Sequence, residues 1–384
     1  MKNEVLKMIA SRAPMGWNSW NTFTKDIDEQ LIKETADAMV DGGYLAAGYE
    51  YLVIDDCWSK KERDENGMLV ADEEKFPNGM KAVADYVHSK GLKFGMYSCC
   101  GVKTCAGYPG SFGHEFDDAN YFASVGIDLL KYDNCYHPGS PSYQSYNRMA
   151  LALRATGKEI LFSACNWGNQ NVHEWARSVG AHMYRSTGDI TDTFESIKGI
   201  VTKEKDKFCY SAPGCFNDLD MLVTGLYGKG NIGFGQGCTA ANYRYHFAIW
   251  CMLSSPLMLG CDIRSIDEET KKLITNKTLI SICRDEDARP PIIVGDNRGQ
   301  KENFSLFKHL SDGTYAIGFF NAYDVDKDIM MPYSDLGLDP LCGYGFDVTD
   351  AFTGEHLGIF RDCIDMHVEA GGCRVLTAKL VKVK

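Results

Sequence analysis

Two short stretches of this chain combine residue types that could do chemistry. Leu130-Lys131-Tyr132-Asp133-Asn134-Cys135 is an apolar run that ends on a cation, a carboxylate and a thiol, just ahead of a loop containing Pro and Gly. Tyr184-Arg185-Ser186-Thr187-Gly188-Asp189 repeats the setting, with a carboxylate four residues past an arginine. A carboxylate at the end of a barrel strand is a catalytic candidate, and two of them are the minimum equipment for breaking a glycosidic bond. For any single aspartate, capping or ion pairing is the bland alternative. In Gly16-Trp17-Asn18-Ser19-Trp20-Asn21 two indoles flank side chains able to reach hydroxyls. Aromatic faces pack on the apolar side of a pyranose ring, although two core tryptophans would look the same. Ile54-Asp55-Asp56-Cys57-Trp58 puts adjacent carboxylates after a buried strand, which is costly unless hydroxyls or cations meet them. Tyr97 ends another apolar run and could add a hydroxyl.

Such residues need rigid strand ends to hold them, and the pattern supplies about eight. Apolar runs at 14–17, 51–54, 92–97, 127–130, 160–164, 182–184, 215–221 and 256–259 have the length of buried parallel strands. Helices lie between them. Asp28 is placed to cap a segment with Ile32, Ala36, Met39 and Val40 on one face and Gly42-Gly43 at its end; Asn78 starts another, closed by Gly91. This alternation predicts a (β/α)8 TIM barrel, with a doubly wound sheet as the other arrangement it allows. Beyond the Pro290-Pro291 pair, short alternating runs at 304–308, 314–321, 344–348 and 374–380 predict an antiparallel β-sandwich. The expected organisation is a catalytic barrel over 1–290 and a sandwich domain over 291–384.

Composition excludes several other classes. A chain of 384 residues with 45% apolar content can bury a large core. A formal net charge of -12, with no long basic run, argues against nucleic acid as a partner. No stretch has the roughly 18 apolar residues of a membrane span, and Met1 to Arg12 lacks the apolar core of a signal peptide, so the chain is expected to be cytoplasmic. The 15 cysteines fit reduced thiols better than a disulfide framework, and none has zinc-site spacing. Gly228-Lys229-Gly230-Asn231-Ile232-Gly233 fits a dinucleotide fingerprint but sits far from a first βαβ unit and lacks the following acid. It reads as a flexible loop after the seventh strand that could shape the rim around a leaving group. His88, His114 and His246 have no ligand spacing and are expected in core or surface roles.

Taken together and in order, the motifs resemble glycoside hydrolase family 27, the retaining α-galactosidases and their relatives. The resemblance is carried by Gly16 to Trp20, Asp55-Asp56-Cys57-Trp58, Cys105-Ala106-Gly107-Tyr108-Pro109-Gly110-Ser111, Lys131 to Cys135, Arg185 to Asp189 and Asn217-Asp218-Leu219-Asp220-Met221. It spans the whole predicted barrel and implies the barrel-plus-sandwich architecture.

Carried over position by position, the resemblance makes Asp133 the nucleophile and Asp189 the general acid/base, with carboxyls about 5 to 5.5 Å apart in a retaining mechanism. Asp189 must then hold a proton, raised by the negative charge of Asp133, while Lys131 at i-2 on the same strand face keeps Asp133 ionised and contacts sugar hydroxyls. Asp55 and Asp56 resemble the pair that grips the 4- and 6-hydroxyls of galactose, and Arg185 the arginine near the 2-position. Trp20, Tyr97, Cys105, Cys135 and Asp220 complete the implied substrate-binding set. Cys105 and Cys135 match an active-site disulfide, expected to be at least partly reduced in a cytosol.

The resemblance calls for no cofactor and no metal. The chain departs from the family at Asn166, where many members carry a Glu that binds near the 2-hydroxyl. An aspartate at position 55, where β-L-arabinopyranosidases typically have Glu, favours galactosides. The expectation is an exo-acting α-galactosidase working on small galactosides or oligosaccharides, with homo-oligomerisation left open. The alternatives are an α-N-acetylgalactosaminidase or β-L-arabinopyranosidase on the same scaffold, and a catalytically silent galactoside-binding protein.

Overall fold

The computed structural model describes residues 8–137, 139–233, 235–295, 303–339 and 341–383. Eight short strands, β1 (Met15–Asn18), β2 (Tyr51–Val53), β3 (Lys93–Cys99), β4 (Leu129–Asp133), β5 (Leu161–Cys165), β6 (Met183–Arg185), β7 (Phe216–Asp218) and β8 (Leu257–Leu259), form one sheet in the order β7-β6-β5-β4-β3-β2-β1-β8. Every pairing in it is parallel. The two ends of that order meet at Leu222, which bridges to Leu259 and donates its N–H to the Met258 carbonyl at 2.7 Å, closing the sheet into a barrel. A sequential closed order is that of a TIM barrel and excludes a doubly wound sheet.

Several strands end later than their apolar runs suggest. β4 continues through Lys131 to Asp133 because backbone pairing, unlike hydropathy, does not stop where side chains turn polar: Asp133 lies in register with Cys99 on one side and Cys165 on the other. The pleat then sorts β4 by period two. Leu129 joins Tyr51, Val53, Leu161, Met183 and Met258 in a small apolar cluster inside the barrel, while Leu130 and Tyr132 face the main core under the helices. Lys131 and Asp133 therefore stand above Leu129, in the barrel mouth.

The helix Glu29–Asp41 starts as expected, with the Asp28 side chain accepting from Leu31 N at 2.7 Å. Asn78 differs. It precedes the helix Gly79–Ser89 but makes no side-chain cap, because its amide donates to the buried Glu29 carboxylate at 3.0 Å.

The second region is antiparallel. Strands β9 (Ile292–Val294), β10 (Asn303–His309), β11 (Tyr315–Asn321), β13 (Tyr344–Asp350), β14 (His356–Phe360) and β16 (Cys373–Lys382) form a six-stranded sheet, and β12 (Lys327–Pro332) pairs with β15 (Cys363–Val368) in a second layer. Phe307, Ile317, Met331, Tyr333, Phe346 and Ile364 fill the space between the layers.

The helix Ala240–Met252 is apolar nearly all round because it lies between barrel and sheet. Tyr245 meets Phe320 of β11 edge to face at 5.1 Å, and Trp250 donates to the Asp220 carbonyl at 2.9 Å. Its His246, buried and accepting from Val223 N, has its pKa pushed down to about 3 by burial and is a neutral core group. Lys308 of β10 pins the two regions together. Its buried ammonium donates to the carbonyls of Met252 and Ile282 at 3.1 and 3.2 Å and to the Ser254 hydroxyl at 2.6 Å. No helix among the described residues is long and apolar enough to cross a membrane.

Candidate active site

The C-terminal ends of the barrel strands open on a pocket of about 490 Å³ lined by Trp20, Asp55, Asp56, Tyr97, Cys105, Lys131, Asp133, Arg185, Asp189 and Asp220. These ten belong to the twelve residues expected from sequence. Asn21, Ile190, Met221 and Ile232 complete the wall.

Three groups of polar side chains can be separated. On the β2 side, Asp55 accepts from Lys131 Nζ at 2.8 Å and from Asn18 Nδ2 at 2.7 Å, and its own N–H donates to Ser19 Oγ. Asn18 and Ser19, read from sequence as groups that reach sugar hydroxyls, are buried supports of Asp55 instead. Asp56 accepts from the N–H groups of Cys57 and Ala106, and burial nevertheless pushes its pKa up.

On the β6 and β7 side, the buried Arg185 guanidinium reaches Asp220 at 2.9 Å and Asp189 at 3.0 Å. Asp220 adopts φ 85, unusual for a non-glycine residue, and is held there by the N–H groups of Ile190 and Met221 on its two oxygens, each at 2.7 Å. Behind them Asp218 accepts from Asp220 N, and burial pushes its pKa up to about 6.

Asp133 stands between these groups, buried and accepting from Asn134 N at 2.8 Å. Its pKa is pushed up to about 6, by burial first; Lys131 and the Asn134 N–H pull against this, and the charges of Asp55 and Asp189 add to it. Lys131 therefore lowers the Asp133 pKa without offsetting burial, and at neutral pH the carboxyl is still mostly ionised. The ammonium is bonded to Asp55, and burial wins at Asp133. Asp189 is the more open carboxyl, with a side chain 75% exposed. Cys105 and Cys135 are joined as a disulfide linking the β3 loop to the end of β4, with Cα atoms 5.2 Å apart. Both sulfurs lie within 4.8 Å of an Asp133 carboxylate oxygen; among the described residues this is also the one close group of metal-ligand types, and its two sulfurs are already bonded to each other.

Two expected residues do not face the pocket. Asn166, just past β5, is fully buried and not among the residues that line the pocket, and neither amide atom has a partner within the protein. Cys135 is buried under Cys105, which alone of the pair reaches the pocket. The unforeseen apolar wall of Ile190, Met221 and Ile232 carries no sequence signal that separates it from core. Within the pocket the Tyr97 hydroxyl and Asn21 Nδ2 are buried with no partner in the protein, so the lining offers polar groups to a hydroxylated ligand.

A family profile described as Alpha galactosidase A matches residues 12–285, and one described as Alpha galactosidase C-terminal beta sandwich domain matches residues 305–378. The chain is 46% identical over 334 residues to Alpha-galactosidase 2 of Arabidopsis thaliana, covering 86% of this chain and 81% of that one. Among solved structures, α-galactosidase I from Mortierella vinacea superposes with a TM-score of 0.89 at 34% identity, over 96% of this chain and 97% of its own. An α-galactosidase from Saccharomyces cerevisiae, solved with raffinose, superposes with a TM-score of 0.88 at 29% identity, over 97% of this chain and 98% of its own.

Proposed function

This chain belongs to the α-galactosidase family, glycoside hydrolase family 27, and from that premise we propose that it is an exo-acting α-galactosidase that removes terminal α-galactosyl residues with retention. The observation that carries the reading is the meeting of Asp133 and Asp189 in one pocket with Asp55, Asp56, Lys131, Arg185 and Asp220, from the ends of four different strands, β2, β4, β6 and β7, at the barrel mouth. In this reading Asp133 attacks the anomeric carbon while Asp189 gives its proton to the departing glycosidic oxygen. The bond to the leaving group breaks as the galactosyl–Asp133 ester forms. Asp189, now a base, takes a proton from water, whose oxygen attacks the anomeric carbon and releases Asp133. Two inversions leave the α configuration unchanged.

Each neighbour has a physical task. Asp55 and Asp56 are buried acceptors that penalise a sugar whose hydroxyls point elsewhere, since unmet carboxylates are costly. Arg185 holds Asp220 and Asp189 in one fork, fixing the acid at the pocket edge. Localisation in the cytoplasm and substrates drawn from small oligosaccharides remain part of this proposal.

The test is Asp133→Ala on an aryl α-galactoside in the presence of azide. The expected product is β-galactosyl azide, formed because the small anion fits the space left by the carboxylate while the departing group leaves from the other face. Formation of α-galactosyl azide, or restored turnover without any azide adduct, would assign the nucleophile elsewhere.

A further inference from the structure

Asp192 lies three residues beyond Asp189 and is fully buried, yet among the described residues it has no ion-pair partner. Its charge is met by hydrogen-bond donors alone. Oδ2 accepts from Gly228 N at 2.8 Å, Oδ1 from Cys238 N at 3.4 Å, and the Tyr243 hydroxyl reaches both oxygens at 2.8 and 3.0 Å. Burial and the Asp192 charge both raise the pKa of Tyr243, so it stays a donor. Gly228 and Cys238 are the two feet of the turn that follows β7, the glycine-rich stretch that no dinucleotide explains.

Between those feet, residues 230–232 are fitted to the pocket wall. The Asp192 N–H donates to the Ile232 carbonyl at 3.2 Å, and Asn231 N donates to the Asn21 carbonyl at 3.0 Å. A Cβ on Gly230 would lie 2.5 Å from the Asn21 carbonyl oxygen, and one on Gly237 would lie 2.4 Å from Asp192 Oδ2, so both glycines are needed for this close fit. Asn21 and Ile232 line the same pocket as Asp189 and Ile190, and the hydrogen bond from Asp192 N holds Ile232 against the segment that follows Asp189. The group that protonates the leaving oxygen must lie over it, so a wall beside Asp189 borders the leaving group rather than the deep part of the galactosyl ring.

We propose that Asp192 is a positioning residue for leaving-group recognition: it fastens Gly228 and Cys238 so that Ile232 borders the sugar that departs over Asp189. The inference rests on the galactosidase reading for its substrate, while the clasp itself stands on the geometry. Losing it lets Ile232 move, and misplacement of a contact by about 1 Å costs on the order of 100-fold where positioning matters.

The test compares wild type, Asp192→Asn and Tyr243→Phe. Three quantities are read: kcat/KM on raffinose and on an aryl α-galactoside, inhibition by free galactose, and the rate of tryptic cleavage after the exposed Lys229 in the turn. For Asp192→Asn, kcat/KM on raffinose is expected to fall about 10- to 100-fold. The aryl substrate should lose several-fold less, galactose inhibition should hold, and cleavage after Lys229 should speed up. Tyr243→Phe, which keeps the ring but loses the donor to Asp192 and the acceptor for Tyr227 N, should show the same pattern at smaller amplitude and keeps the test decisive if Asp192→Asn does not fold. Equal losses on both substrates, or unchanged cleavage after Lys229, would overturn the proposal. If wild type hydrolyses neither galactoside while Lys229 cleavage still rises in the variants, the galactosidase reading and the leaving-group role fall together and only the mechanical clasp survives.

Discussion

At the N-terminal end of the barrel, Glu50 meets Lys93 at 2.6 Å and Arg284 at 3.2 Å. Burial pushes its pKa up, but the two cations outweigh this and the carboxyl ends below its ordinary range. At the C-terminal end, Asp133 and Asp218 have cations close by and still end at about 6, because burial there outweighs Lys131 and Arg185. The same two influences, burial and nearby cations, act at both ends with opposite net sign. The bottom of the barrel spends its charges on stability. The top keeps carboxyls that fold at a loss, alongside a buried tyrosine hydroxyl with no partner, and those are the groups that a substrate can meet.

The largest effect expected of this difference belongs to Asp133→Asn. Losing the nucleophile should cost on the order of 10⁴-fold or more in kcat. Stability should move the other way. A carboxyl raised in the folded state contributes stability that is fully present below its unfolded value and is lost as pH rises through the folded one, here between about 4 and about 6. At pH 7 the ionised Asp133 therefore costs roughly 3 kcal/mol, which asparagine, keeping the acceptor for Asn134 N, should largely return. Thermal melts at pH 7 and pH 4 check this: the variant should gain at the first and not at the second. The wild-type kcat/KM should fall as pH drops through about 6, where the nucleophile takes up a proton.

Legibility in the sequence follows the same division. Asp55, Asp56 and Asp133 were readable because a carboxylate directly after an apolar strand has few reasons to be there, whereas Arg185, Asp189 and Asp220 gained their roles from motif order and family resemblance. Asn18, Ser19 and Asn166 carry equally polar side chains in equally suggestive motifs, and only the packing shows that the first two support Asp55 and the third is buried away from the pocket lining. Ile190, Met221 and Ile232 could not be told from core, since an apolar wall and an apolar interior have the same composition. In the second region β12 escaped the alternation test because its Met330 is exposed on an edge pair while Met331 is buried. Strand β15, its partner, alternates cleanly but starts next to a turn that blurs its beginning.

Tyr97 offers an intermediate effect on the same contrast. Its hydroxyl lines the pocket without a protein partner, and its ring carries Lys131 at 5.3 Å. Tyr97→Phe removes the unmet group and leaves the ring, so the fold should lose nothing measurable in a melt. Hydrolysis should suffer: one hydrogen bond to a substrate hydroxyl is worth about 1 kcal/mol, so kcat/KM on an α-galactoside should drop roughly 5- to 10-fold. A variant less stable than wild type with unchanged kcat/KM would place Tyr97 with the structural groups of the bottom instead.

Glu50→Gln should show the smallest effect and the opposite division. It leaves Lys93 over the Tyr51 ring at 4.9 Å and Arg284 on the Gly48 carbonyl at 3.1 Å, but removes the charge both cations face. The pair is partly exposed, so the loss is held to about 1 kcal/mol at pH 7. Because the Glu50 pKa is lowered on folding, its contribution is present above the unfolded value near 4.5 and disappears as pH falls through the folded one. At pH 7 the variant should accordingly melt below wild type, and the two curves should converge in acid; Asp133→Asn has the same pH dependence with the opposite sign, and here kcat/KM stays unchanged throughout. A variant more stable than wild type at pH 7 would mean that burial, not pairing, decides the state of Glu50, and the two ends of the barrel would then obey one sign.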